Sequence, residues 1–382
     1  MKPLITANTK FALDLFKHVT GDSNDDNIFF SPLSLSVALA MVYFGARGNT
    51  AEQLAKILHY AKTSDVHRQF KALNAVINNP SSLYEIKIAN RLFGEKTFDF
   101  VQKFLDNTKK FYQAELSRVD FLHQSETARR DINAWVESQT EGKIKDLLPE
   151  GSVESDTVLI LANAIYFKGT WKKTFEPWNT EEHPFRISKN DTVKVQMMKL
   201  EEDFRYNYIS ELHLSILELP YLKDETSMLI LLPDDFTDES TGLDQLQKEL
   251  SFEKLSQWTD PINMQETCVY VYLPKFNLEK SYDMKCLLTK MGITDIFCRT
   301  SADLSGMTTK DNLFVSKVAH KSFVDVNEQG TLAAAATGIV CTADCLRLPG
   351  ARKVFKADHP FLFFIRHNES GSILFFGRFC QP

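Results

Sequence analysis

Asn327-Glu-Gln-Gly-Thr-Leu-Ala-Ala-Ala-Ala-Thr-Gly-Ile-Val-Cys-Thr-Ala-Asp-Cys345 decides how the chain is read. The stretch begins polar, passes Gly330 and Thr331 into four alanines, and ends in an Ala-Asp-Cys that no helix or strand packing requires. An alanine run is also a good helix former. At strand spacing, however, Thr331, Ala333, Ala335 and Thr337 form one face of very small side chains,. A segment so patterned can slide between neighbouring strands, so it reads as a loop able to become a strand.

Around it lies a chain of 382 residues, 43% apolar and 12% aromatic, without a Pro/Gly/Ser-rich linker, repeat or low-complexity tract. One domain over residues 1–382 is expected. A net charge of −6 gives no support for binding a phosphate backbone,, so nucleic acid is not expected as a partner. Arg68, Lys71, Lys109 and Lys110 read as solvated helix faces,. All six cysteines lie in the last third without zinc-finger spacing, so free thiols and no metal are expected,. Neither a GxSxG elbow, HExxH, a Walker loop nor GxGxxG occurs, and the nine histidines are scattered,. The chain is not read as an enzyme and no cofactor is expected. Asn190-Asp-Thr and Asn368-Glu-Ser are glycosylation sequons, meaningful only on export,.

Residues 28–46 carry no charge. Ser31, Pro32, Ser34, Ser36 and Gly45 interrupt the run, so a buried helix beginning at Ser31-Pro32 is expected and no membrane association. Phe11, Leu15 and Val19 mark an opening helix, Thr50-Ala-Glu-Gln a cap followed by a helix, and 132–140 another,. The first 150 residues therefore read mainly as helices. Strands are expected over 158–167, 228–232, 268–276, 361–365 and 373–379, the last two forming a hairpin across Asn368-Glu-Ser-Gly371,. The order predicts an α+β fold.

Asn27-Ile-Phe-Phe-Ser-Pro-Leu-Ser34, Leu161-Ala-Asn-Ala-Ile-Tyr-Phe-Lys-Gly-Thr-Trp171, Leu273-Pro-Lys-Phe276 and Ala357-Asp-His-Pro-Phe-Leu-Phe-Phe-Ile-Arg366 flank the opening stretch in an order that resembles the serpins. The resemblance runs the length of the chain, to the family's ovalbumin-like branch. It implies three β-sheets with about nine helices and an exposed reactive loop at about 328–356. It implies a polar cluster at the centre of the main sheet from Ser31, Ser34, Asn163 and His320, the family's shutter. It places Trp171 and Lys275 at the top of the sheet, the breach, with Lys275 pairing the hinge glutamate, Glu328. The hinge is Glu328, Gly330, Thr331, Ala333, Ala334, Ala335, Ala336 and Thr337; Leu332 replaces the family's frequent glutamate and alternation points it outward.

The resemblance further implies that a protease attacks the loop, forms its acyl-enzyme, and is carried about 50 Å when some 15 residues insert at ~3.4 Å each. The expected partner is one protease held 1:1 by a covalent bond, the inhibitor itself being monomeric. A storage, chaperone or carrier member is the competing class, but such members usually have bulky or charged hinges. The N-terminal residues lack the apolar core of a secretory signal,. Cytoplasmic location is expected, with nuclear location or export without a cleaved signal left open.

In the family the cut usually falls sixteen positions after the hinge glutamate, between Asp344 and Cys345, with Cys341, Thr342 and Ala343 completing the bait. Thr342-Ala-Asp-Cys345 is similar to the bait of the family's poxviral caspase inhibitor, and the Ala-Asp-Cys to the Ala-Glu-Cys of its granzyme B inhibitor. A carboxylate entering a pocket must meet a cation, so an Asp-cleaving protease is the expected target. The segment from Cys345 to Ala357 is longer than in many relatives by two or three residues. That leaves open Leu346 for a chymotrypsin-like protease, or Arg347 or Arg352 for a trypsin-like one. Cys341 and Cys345, a CxxxC, read as incidental thiols, with oxidative closure of the bait as the functional alternative.

Overall fold

Ser31 opens the buried helix: its hydroxyl accepts the Ser34 N–H at 3.2 Å while Pro32 occupies the first helical turn, where a missing N–H costs nothing,. The computed structural model describes residues 1–21, 25–79, 83–234, 236, 241–331 and 352–382. Among them are nine α-helices: α1 (Lys2–Thr20), α2 (Pro32–Gly45), α3 (Gly48–Ile57), α4 (Val66–Ile77), α5 (Gln102–Tyr112), α6 (Phe121–Gln139), α7 (Asp244–Glu249), α8 (Phe252–Trp258) and α9 (Met284–Met291). The strands are β1 (Ile28–Phe30), β2 (Tyr84–Glu95), β3 (Leu116–Val119), β4 (Leu159–Thr170), β5 (Glu181–Arg186), β6 (Thr192–Ile209), β7 (Leu214–Pro220) and β8 (Thr226–Pro233). They continue with β9 (Gln265–Pro274), β10 (Phe276–Asp283), β11 (Lys317–Asn327), β12 (Gly330–Thr331), β13 (Lys353–Lys356), β14 (Phe361–His367) and β15 (Ser372–Phe379).

The main sheet runs β10-β11-β12-β4-β2-β3, and β11 also pairs directly with β4. Its two faces are covered separately. Phe121, Ile132 and Val136 of α6 pack on Ile160, Ala162 and Tyr166 from one side, while α2 and the large core cover the other. Burial on both faces explains why β4, apart from Asn163, is apolar at successive positions from Leu159 to Phe167 rather than alternating,. The remaining strands run β1-β15-β14-β8-β7-β6-β9-β13, with β5 on β6. The 18-residue β6 joins two of the three expected sheets, since one end pairs with β7 and the rest with β9 and β5. The α+β arrangement is as expected.

The uncharged run divides into β1 and α2, the latter buried along nearly its whole length. No helix among the described residues is long and apolar enough to cross a membrane. The hairpin of β14 and β15 forms across the expected turn, with the Gly371 N–H donating to His367 O at 2.8 Å.

Several expectations are corrected. Thr50 lies inside α3, which starts at Gly48; its hydroxyl accepts the Asp303 N–H at 3.0 Å instead of capping its own helix. The helix expected over 132–140 begins at Phe121, where Asp120 caps it through His123 N–H. The 268–276 strand is two, because the chain leaves β9 at Pro274 and enters β10, in the other sheet, at Phe276. The helical reading of the first 150 residues missed β2, which pairs with β4 over eleven positions. The loop expected over 328–356 is shorter, because Lys353–Lys356 form β13 in parallel register with Val269–Tyr272 of β9.

Candidate functional site

Gly330 and Thr331 form a two-residue strand, β12, between β11 and β4 at one end of the main sheet. Below it β11 and β4 pair with each other directly, from Lys317 opposite Ile160 to Phe323 opposite Tyr166. The sheet is therefore closed along most of its length with the start of an additional strand already seated at its top. That narrow place selects its residues. Gly330 has φ +148°, and a Cβ there would collide with the Gly169 carbonyl oxygen and lie 2.8 Å from Thr170 Cα,. Gly169 in turn faces Phe167 and Tyr221, whose rings would be 2.8–2.9 Å from a Cβ. Thr331 is fully buried, and its hydroxyl shares a 2.7 Å hydrogen bond with the Tyr221 hydroxyl.

The segment just before β12 is tied down by its carbonyls. Trp171 Nε1–H donates to Asn327 O at 3.0 Å, Trp171 N–H to Gln329 O at 3.0 Å, and Phe175 N–H to Glu328 O at 2.9 Å. The Trp171 ring stacks on Tyr221, centroids 4.4 Å apart and planes 14° from parallel. Lys275 Nζ reaches the Glu328 carboxylate at 2.9–3.0 Å, and the Thr180 hydroxyl donates to it at 2.9 Å. Burial pushes the Glu328 carboxyl up, but Lys275, its own backbone N–H and Thr180 outweigh burial and hold it below the usual carboxylate range,. Lys275 stands where β9 gives way to β10, and its N–H donates to Gln196 O at 2.8 Å. The crossover that divides the expected strand is thus what brings this lysine to Glu328.

At the middle of the sheet, Asn163 of β4 and His320 of β11 are paired residues in register. Ser31 N–H donates to His320 Nε2 at 3.1 Å, so the ring proton sits on Nδ1, which donates to Asn163 Oδ1 at 2.5 Å,. Asn163 Nδ2 donates to Ser34 Oγ at 2.5 Å and Ser34 O at 3.3 Å, and Ser31 Oγ donates to Leu374 O at 2.6 Å. All four side chains are buried, and burial holds the His320 imidazole down to about 3. The ring lies parallel to Tyr282 at 6.3 Å, and Ser322 Oγ donates to Phe29 O at 2.8 Å. Strand separation would part His320 from Asn163, exchanging hydrogen bonds rather than simply losing apolar contacts.

The structure therefore brings Ser31, Ser34, Asn163 and His320 into one network, and Trp171, Lys275, Glu328, Gly330 and Thr331 into a second. Tyr221, Gly169 and Thr180 belong to the second and were missed. Gly169 stands in the quoted 161–171 stretch, but only the rings of Phe167 and Tyr221 packed over it show why it is glycine. Tyr221 and Thr180 arrive from distant loops with no signal in the sequence. Ala333, Ala334, Ala335, Ala336 and Thr337, the bait Cys341, Thr342, Ala343, Asp344 and Cys345, and the alternatives Leu346 and Arg347 lie outside the described residues. Arg352 is described: its guanidinium donates to the Tyr270 hydroxyl at 3.0 Å and lies 3.5 Å from the Glu201 carboxylate, just before β13. The Asn368 amide donates to Asp224 O and Ser227 Oγ at 2.8 and 2.7 Å, which leaves it poorly placed for glycosylation. Among the described residues, no disulfide joins Cys268, Cys286, Cys298 or Cys380.

Comparison with known proteins agrees with this geometry. The family described as Serpin (serine protease inhibitor) matches residues 6–382. The chain is 52% identical over its whole length to the whole of the leukocyte elastase inhibitors of Equus caballus and Homo sapiens. The structure of uncleaved ovalbumin superposes with a TM-score of 0.91 at 36% identity, covering 99% of this chain and 100% of that one. A loop strand started in a closed sheet and a match along the full chain lead to one conclusion: this chain belongs to the serpin family of protease inhibitors and is not an enzyme.

Proposed function

We propose that the chain is a suicide-substrate inhibitor of a chymotrypsin-like serine protease, cut at Leu346-Arg347 and trapping its target 1:1 as an acyl-enzyme. The observation that carries the reading is β12. Seated between β11 and β4 above seven directly paired residues, it is the first step of a longer insertion that has not yet taken place. Attack on the loop forms the acyl-enzyme. The cut loop then continues from Thr331 as a full strand, parting His320 from Asn163 as it descends and dragging the protease away before water completes hydrolysis. Small side chains at Ala333, Ala335 and Thr337 suit that path, since a charge or bulky group would cost several kcal/mol to bury,.

The class of target rests on the relatives, which are named for inhibiting leukocyte elastase. Proteases of the chymotrypsin fold with an apolar or small primary pocket would take Leu346 and reject an aspartate. The longer segment between Cys345 and Ala357 accommodates a bond two residues later than the family's usual count. The relatives favour this over an Asp-cleaving target. A second reading, Asp344 with granzyme B or a caspase, keeps only the support of the family's count of sixteen from the hinge glutamate, here taken as Glu328, which is paired with Lys275. The competing storage or carrier class is disfavoured by the small hinge.

Incubation with chymotrypsin, leukocyte elastase, trypsin, granzyme B and caspase-1 separates these readings. The expected result is an SDS-stable complex with chymotrypsin or elastase and a released peptide beginning at Arg347. A peptide beginning at Cys345 would replace the target with an Asp-cleaving protease, and one at Leu348 with a trypsin-like one. Cleavage by all without a stable complex would remove inhibition altogether.

A further inference from the structure

Away from the loop, a groove of about 750 Å³ separates α1 from α3 and the turn after it. Helical spacing builds both walls. On α1, Lys2, Thr6 and Lys10 recur every fourth residue and form one ridge, with Ala7 beside it,. On the other side Ala55 and Lys56 end α3, and Ala61 and Lys62 follow. The floor, from Ala7 and Ala55 with the exposed Ala61 at its edge, is apolar, and the short alanine side chains leave it recessed between the walls.

The rim is cationic. Lys2, Lys10, Lys56 and Lys62 line the groove, against one carboxylate, Glu52. The nearby His59 is already bonded to Asp14 at 2.6 Å. Lys10 has a loose pair with Glu253 at 3.7 Å, while Lys2, Lys56 and Lys62 have no ion pair among the described residues. A chain of net charge −6 thus concentrates several unneutralised cations around one apolar recess. Concave walls focus such a field, and lysine stems can lie along an apolar ligand while their ammonium groups meet an anion.

We propose that this groove binds an anionic amphiphile, a free long-chain fatty carboxylate, with the acyl chain on the alanine floor and the carboxylate among Lys56, Lys62 and Lys2. The volume lies within the roughly 300–1,000 Å³ of small-ligand sites. A linear polyanion would not need the apolar floor, and a flat membrane surface would not fill a recess.

The test is titration of the full chain with oleate below its micelle concentration, read by calorimetry, in the parent, in K56E/K62E, and in A55W, which fills the floor. Saturable binding of one oleate is expected, weakened about tenfold or more by K56E/K62E and by A55W, with thermal melting and protease inhibition unchanged. Equal affinity in all three proteins overturns the proposal. So does absence of oleate binding, whether the parent instead binds heparin, binds vesicles containing phosphatidylserine, or binds neither.

Discussion

Replacing Gly330 by alanine tests whether the hinge must lie flat against β4. A left-handed φ of +148° is strained for any residue with a Cβ, at about 1–3 kcal/mol. The added methyl also meets the Gly169 carbonyl and Thr170 Cα, both backbone atoms of a central strand that cannot swing aside. Overpacking of that kind costs about 1–3 kcal/mol more, giving roughly 2–6 kcal/mol in all. β12 is seated by its ladder pairings with β11 and β4 and by the Thr331–Tyr221 hydrogen bond, each bond contributing about 1 kcal/mol,, so the strain is of the same size as what holds it and β12 should be loosened. Insertion after cleavage needs the same two backbones side by side, so it is opposed too. Gly330→Ala is expected to act increasingly as a substrate: more inhibitor cleaved per complex formed against chymotrypsin, with altered emission from Trp171 as its Tyr221 neighbour loses Thr331. Unchanged stoichiometry and unchanged emission would refute the reasoning.

Other perturbations follow from the same two networks. Glu328→Gln removes the charge that Lys275 and Thr180 hold, at about 1–3 kcal/mol for charge-assisted bonds,; urea unfolding should show the loss, and no change in midpoint would mean that the pair is solvated. Asn163→Ala strands the buried His320 donor and frees Ser34, so a loss of at least about 1–3 kcal/mol is expected by the same measurement,. The pH dependence follows from histidines buried neutral. His320, held down to about 3, and His67, held down to about 4 mainly by burial, bind protons more readily when unfolded. Stability should therefore fall as pH drops from about 6.5 toward 4, by up to ~1.4 kcal/mol per unit for each ring, and level off for each below its folded value. A flat unfolding midpoint between pH 7 and 5 would contradict the burial of these rings in their neutral form,.

What the sequence shows of this molecule depends on how local each feature is. The β14–β15 hairpin is legible because turn and strands are contiguous, and α2 because an uncharged run broken by Ser31-Pro32 carries its own cap. Asn163 and His320 are legible only through the order of family motifs, since their contact joins residues 157 positions apart. The change of sheet at Lys275 is invisible because the apolar pattern of β9 runs on into Phe276 of β10. β2 carries a signal that the helical reading passed over: Tyr84, Ile86 and Ile88 alternate with Glu85 and Lys87 before Ala89-Asn90 breaks the pattern. Tyr221 and Thr180 meet the hinge only after β4, β6 and β7 have been folded together. The bait position depends on how much chain follows the cut, and a count along the sequence cannot distinguish Asp344 from Leu346.

The central claim is that cleavage lets the loop become a strand between β4 and β11. A central strand of about ten residues bonded on both sides should add on the order of 10 kcal/mol at ~0.5–1.5 kcal/mol per hydrogen bond. At roughly 1–2 °C per kcal/mol for a chain of this size, extrapolated from smaller domains, that raises the Tm by about 10–20 °C. Calorimetric melting of the protein before and after cutting within residues 340–348 by a protease that is not trapped measures it directly. The account predicts a higher Tm after the cut, and an unchanged or lower Tm would contradict it.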